Sequence, residues 1–157
     1  MAKTTRATQF LDKAGVAYTT ATYVYDPNAE RIGLQAAEAI GEHPSRVLKT
    51  LMAELDGKPV CVVVPSDKEV SMKKLASAFG GKSAAMMKPA NAEKLTGFVV
   101  GGISPFGQKK QVPTAIEISA MDEALVYMNG GQRGLQVRLS PQDALKALGA
   151  IAAPLTA

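Results

Sequence analysis

The chain carries 157 residues, 46% hydrophobic and 20% charged, with a formal net charge of +4, one Cys and one His. A single Cys excludes an internal disulfide, and one Cys with one His excludes metal centres that need several such ligands, so no metal or other cofactor is expected. The charge fits an anionic partner but is too small for a polybasic protein, and no apolar run approaches the roughly 18 residues of a membrane span, so a cytoplasmic protein without membrane contact is expected. Thr4 or Thr5 caps a first helix running to Ala14, with Phe10 and Leu11 on its apolar side and Gly15 at its end. Residues 16–25 are β-branched and aromatic and predict a strand. Asp26-Pro27 then turns the chain. Residues 34–40 are Ala-rich and predict a helix stopped by Gly41. His43, which precedes Pro44, reads as a solvated loop imidazole.

A strand is predicted over residues 47–55, and Asp56-Gly57 is a hairpin signal leading into a second strand over 60–64. That second strand is apolar at every position, which predicts that both of its faces are covered. Cys61 lies inside it and reads as a core thiol. Ser71 caps a helix ending at Phe79, and Asn91 starts a short helix ending before Gly97. Residues 98–100 read as a strand feeding a glycine-rich loop. Further strands are predicted over 115–118, 125–128 and 135–139, the last two joined by the turn Asn129-Gly130-Gly131. Ser140 as N-cap with Pro141 behind it opens a final helix ending at Leu148. Strands outnumber helices and several are hairpin-linked, so the predicted class is α+β with a mixed, mostly antiparallel sheet. The length suits one domain over residues 1–157, able to bury roughly 70% of its unfolded surface.

Two segments carry candidate chemistry. In residues 96–110, TGFVVGGISPFGQKK, paired glycines are followed by a turn built from Ser104, Pro105 and Gly107 and then by Lys109 and Lys110. Glycines there let backbone approach a ligand or take positive φ, and the lysines add positive charge. The segment is either a phosphate- or carbonyl-binding loop or a hairpin with ordinary surface lysines. In residues 47–51, alternation puts Val47, Lys49 and Leu51 on one strand face and Leu48 and Thr50 on the other. Lys49, a cation among apolar neighbours, either snorkels to water at an edge or is held in a pocket to meet an anion or a developing oxyanion. A Ser-His-Asp set, paired carboxylates, a P-loop and GxGxxG are all missing from the chain. An enzyme of this composition works through binding geometry, backbone donors and one lysine.

These pieces occur in a recognisable order: Thr22-Tyr23 followed by Asp26-Pro27, Val47-Leu48-Lys49-Thr50-Leu51, the segment 96–110, Pro113-Thr114, and Gly130-Gly131-Gln132-Arg133-Gly134-Leu135. In them the chain resembles the YbaK/EbsC-type cysteinyl-tRNA(Pro) deacylases, relatives of the editing domain inserted in bacterial prolyl-tRNA synthetases. The resemblance implies a barrel-like sheet with helices packed outside and a trans-editing deacylase that releases cysteine from mischarged Cys-tRNA(Pro), the substrate thiol attacking its own ester. It implies Lys49 and Gly101 as catalytic groups. It implies Tyr23, Ile32, Thr50, Phe98, Gly102, Ile103, Ser104 and Pro105 as substrate-binding, and Lys109, Lys110 and Arg133 as tRNA-binding. The implied partners are mischarged tRNA and prolyl-tRNA synthetase. Phe98 stands where relatives often carry Tyr, Gln136 where Asp is common, and Ile32 at an aromatic-favouring position, which bears on substrate preference. The alternatives are a deacylase for another mischarged tRNA such as Ala-tRNA(Pro), where water must attack, and a non-catalytic tRNA- or synthetase-binding module.

Overall fold

A computed structural model describes residues 4–28 and 34–157. The first helix, α1 (Arg6–Lys13), begins at a reciprocal cap: Thr8 N–H donates to Thr5 Oγ1 at 3.1 Å and Thr5 N–H to Thr8 Oγ1 at 2.8 Å. The Thr5 hydroxyl also donates to Gly130 O, which ties the start of α1 to the glycine turn far along the chain. Strand β1 is only Thr19–Thr22, shorter than the pattern over 16–25 predicts. It stops where the partner strand β7 (Leu135–Leu139) begins, since Thr22 pairs with Leu135. Helix α2 (Gln35–Ile40) ends at Gly41 in the left-handed region, as the sequence predicts.

Strands β2 (Leu48–Leu55) and β3 (Lys58–Pro65) form the expected hairpin. Asp56 and Gly57 both have positive φ, the conformation a tight two-residue turn requires. The sequence pattern missed β4 (Ala84–Met86) and β8 (Ile151–Ala153). Both are three-residue edge strands without β-branched runs, recruited by neighbours distant in sequence. With β5 (Thr114–Glu117) they complete a five-stranded sheet in the order β4-β2-β3-β5-β8. A second sheet of three strands runs β1-β7-β6, with β6 at Val126–Asn129. The β3–β5 and β5–β8 pairs are parallel and the other four antiparallel, so the sheet is mixed and mostly antiparallel as predicted. A bridge between Val47 and Tyr127 joins the two sheets. Among the described residues neither sheet closes on itself.

The hydrophobic core lies on both faces of β3. Cys61 and Val63 enter one cluster with Leu11, Phe106, Ile116 and Met128, while Val60, Val62 and Val64 enter another with Leu75 and Leu155. That is the two-sided burial read from the unbroken apolar run. Helices α3 (Met72–Ala78) and α5 (Pro141–Leu148) start at Ser71 and Ser140, whose hydroxyls accept from Lys74 N–H and Asp143 N–H. Helix α4 (Pro89–Thr96) ends at Gly97, again left-handed.

The strand expected over 98–100 does not form. Phe98 N–H donates to Thr96 Oγ1 at 3.2 Å, Val100 N–H to Glu93 Oε2 at 2.8 Å, and Gly102 N–H to Val99 O at 2.8 Å. These local bonds consume the donors a ladder would use and fold the segment back over the end of α4. No described helix is long and apolar enough to cross a membrane.

Candidate active-site cleft

A cleft of about 300 Å³ is lined by residues of both sheets. Its first wall is β2. Strand β4 pairs only with Ala53, Glu54 and Leu55, so the N-terminal half of β2 has no strand on that edge among the described residues. Six consecutive residues, Val47 to Met52, line the cleft, and since side chains alternate between faces, the strand's own backbone must form part of the wall. Lys49 and Thr50 both contribute although they point to opposite faces. Lys49 is half-buried and takes part in no ion pair among the described residues.

The second wall is the glycine loop. Gly101 has φ +91, a left-handed conformation that favours glycine, and a Cβ built on it would lie 2.7 Å from the Tyr25 hydroxyl. Its carbonyl accepts from Asn129 Nδ2 at 3.1 Å, and Asn129 Oδ1 accepts from Gly131 N–H at 2.7 Å. One side chain therefore locks both glycine segments. With the carbonyl held, the Gly101 N–H is left without an acceptor among the described residues. Ile103 follows on the same wall.

The floor comes from the three-stranded sheet and from methionines. Asn129, Gln136 and Met52 line it, with Met86 and Met87 to one side. Gln136 is buried and its Oε1 has no hydrogen-bond partner among the described residues, and the same holds for the buried Thr50 Oγ1. Tyr23 enters through its backbone anchor, Tyr23 N–H to Gly134 O at 2.9 Å. Burial first, and then neighbouring Tyr25, pushes the Tyr23 phenol above its usual range, with the Gly134 backbone opposing. The described lining residues include no His, Cys, Asp or Glu.

Five of the residues singled out in sequence thus converge on one cleft: Tyr23, Lys49, Thr50, Gly101 and Ile103. Four others stand behind the wall and do not line it. Phe98 is buried in the core cluster. Gly102 packs against backbone, a Cβ there meeting Arg133 N at 2.8 Å. Ser104 is fully buried, its hydroxyl oxygen accepting from Phe106 N–H at 3.1 Å, and Pro105 is buried beside it. Ile32 lies outside the described residues. Lys109 and Lys110 border a separate shallow depression with Asn91, Lys94 and Leu95. Arg133 sits at the rim, its Nε donating to Val100 O at 2.9 Å.

Asn129, Tyr25 and the three methionines were missed as site residues, and Gln136 was marked only as a departure from the family pattern. Asn129 carried a signal, the Asn-Gly-Gly turn, but that pattern speaks only of turn chemistry. Cys61 is fully buried, and burial pushes its thiol up to about 12 against weaker opposing hydrogen bonds from Gln108 and Thr114. It is a core thiol, as read. His43 is exposed, and its Nδ1 accepts from Ser45 N–H. Among the described residues no cluster of His, Cys, Asp and Glu is arranged to hold a metal ion.

A family model described as an aminoacyl-tRNA editing domain matches residues 26–147. The Enterococcus faecalis protein EbsC, provisionally named a Cys-tRNA(Pro)/Cys-tRNA(Cys) deacylase, is 37% identical over 110 residues, 69% of this chain and 67% of that one. An Escherichia coli protein named multifunctional Ser/Thr-tRNA deacylase ProXp-y is 24% identical over 144 residues, 90% of this chain and 85% of that one. A crystal structure described provisionally as a trans-editing enzyme for prolyl tRNA synthetase superposes with a TM-score of 0.81 at 23% identity, covering 97% of this chain and 95% of that one. At that identity the likeness speaks for the fold.

Proposed function

The chain belongs to the aminoacyl-tRNA editing domain family, and from that premise we infer that it is an aminoacyl-tRNA deacylase, releasing cysteine from mischarged Cys-tRNA(Pro). The observation that carries this reading is the cleft itself: a lysine on one wall, a glycine loop with a spare N–H on the other, and no His, Cys, Asp or Glu among the described lining residues to serve as base or nucleophile. Such a site suits a substrate that brings its own attacking group. In the proposed reaction the cysteinyl thiol attacks its own ester carbonyl. The tetrahedral oxyanion accepts a hydrogen bond from Gly101 N–H, and the Lys49 ammonium stabilises charge at the departing 3′-oxygen. That oxygen leaves with the thiol's proton, and the amino acid departs as a cyclic thioester that water then opens. The methionines of the floor offer a polarisable, apolar bed for a small sulfur side chain.

The energetics favour such a second sieve. An active site separates similar small side chains by only about 1–3 kcal/mol, so a synthetase that mischarges at that level needs correction elsewhere. On this reading the whole chain acts as one editing unit in the cytoplasm, meeting its tRNA beside prolyl-tRNA synthetase. The test is a panel of Cys-tRNA(Pro), Ala-tRNA(Pro) and correctly charged Pro-tRNA(Pro) offered to the purified protein. Release of cysteine alone is expected. Release of alanine at the same rate removes the thiol from the mechanism, and no release from any of the three leaves a binding module.

A further inference from the structure

We propose that Arg133, seated on Tyr25 at the rim of the cleft, binds the purine base of the RNA's 3′-terminal nucleotide; the inference rests on the editing reading and names the part of the substrate that the cleft leaves outside. A cleft of about 300 Å³ lies at the small end of ligand sites. It suits an aminoacyl ester and its ribose, and the base attached to that ribose must then rest on the rim. The rim beside Gly101 is built for a flat partner. The Arg133 guanidinium carbon lies 5.1 Å from the centroid of the Tyr25 ring, and Nε is spent on Val100 O at 2.9 Å. The Tyr25 hydroxyl in turn abuts Gly101, where a Cβ would come within 2.7 Å of it. Two contacts thus hold the guanidinium, and Arg133 is exposed to solvent. Val99 and Val100, 51% and 40% exposed, extend the rim with apolar surface.

A planar cation backed by an aromatic ring and flanked by exposed apolar groups stacks an unpaired nucleobase. A cation serving only phosphate needs no such backing. Lys94, Lys109 and Lys110, exposed around their own depression, present that simpler kind of charge. Tyr25 is then a positioning residue: it touches the arginine and the glycine loop, and acts on the base through Arg133.

The test uses a short uncharged RNA hairpin whose 3′-terminal adenine is replaced by the fluorescent base 2-aminopurine, titrated with the full chain. Quenching on binding is expected. Arg133→Ala should lose the quench and weaken binding about tenfold, the size of one base stack. Arg133→Lys, which keeps the charge and loses the plane, should behave like the alanine variant, while Tyr25→Phe keeps the quench and Tyr25→Ala loses it. On a hairpin lacking the terminal base, the native chain and Arg133→Ala should bind alike. The inference is overturned if the native chain does not quench, if Arg133→Lys retains full quench and affinity, or if the alanine penalty persists without the base. Because the RNA is uncharged, the two readings fail separately. A chain that stacks the base yet releases no amino acid sinks the editing reading alone, and one that deacylates without quenching sinks this one alone.

Discussion

Two buried polar sites in this molecule differ in one respect. At the C-terminal end, Glu117 is 5% exposed and every bond its carboxylate needs is supplied. Oε1 accepts from Leu155 N–H at 2.8 Å and Thr156 N–H at 3.2 Å, and Oε2 from Ser119 N–H at 2.8 Å. In the cleft, Thr50 Oγ1 and Gln136 Oε1 are as well hidden and have no partner among the described residues. Buried polar groups are normally paired because an orphan costs about 1–3 kcal/mol. Glu117 fastens the last residues to β5 and serves stability. The cleft groups cost stability, and on the editing reading a bound substrate would pair them.

The comparison is broken most directly at Lys49. Lys49→Ala should lower kcat/KM on Cys-tRNA(Pro) by about 10²–10³, the scale of one lost charge-stabilising group, with an unchanged melting curve. Full activity in that variant removes lysine from the mechanism. Gly101→Val should fall nearly as far, because a branched residue is strained at φ +91 and its Cβ drives into the Tyr25 ring. Its signature is lost turnover with near-native secondary structure by circular dichroism, and normal turnover would exclude the loop as the oxyanion site.

At the saturated site the effect should fall on stability alone. Burial pushes the Glu117 carboxyl up, but the N–H groups of Ser119, Leu155 and Thr156 outweigh it and hold the carboxyl below its usual range. The folded chain therefore binds that proton more weakly than the unfolded chain. The stabilisation is complete above the ordinary carboxyl value of 4.5 and is lost as pH falls from there through the lowered folded value. Denaturant melts of Glu117→Gln should show about 1–3 kcal/mol lost at neutral pH and a flatter profile across that acidic window, with native kcat/KM per folded molecule. An unaltered acid limb would show that Glu117 does not hold the C-terminus.

The smallest effect, and the sharpest contrast, is expected at Gln136. Gln136→Met keeps the volume and removes the orphan, so stability should hold or rise by about 1 kcal/mol while KM for the charged RNA increases severalfold. A loss of stability like that at Glu117 would show that the cleft amide is a structural group after all.

Local chemistry was legible along the chain. The caps at Thr5, Ser71 and Ser140, the stops at Gly41 and Gly97, the Asp56-Gly57 turn and the two-sided burial of β3 are decided within a few residues. Candidate chemistry was legible at Lys49 and Gly101 because a lone lysine in a strand and paired glycines in a loop contradict ordinary local preference. Phe98 was misread for the converse reason. Its neighbours look like a strand, yet side-chain caps from Thr96 and Glu93 take the donors first.

What the sequence determined by itself is which segments turn, which are apolar on both sides, and which residues are chemically out of place. Only the tertiary structure decided that β4 stops short along β2, that a bridge joins Val47 to Tyr127, and that Asn129 reaches across to hold Gly101. The first set rests on bonds and sterics between near neighbours in the chain. The second depends on pairings between residues far apart in sequence, whose register no local pattern encodes.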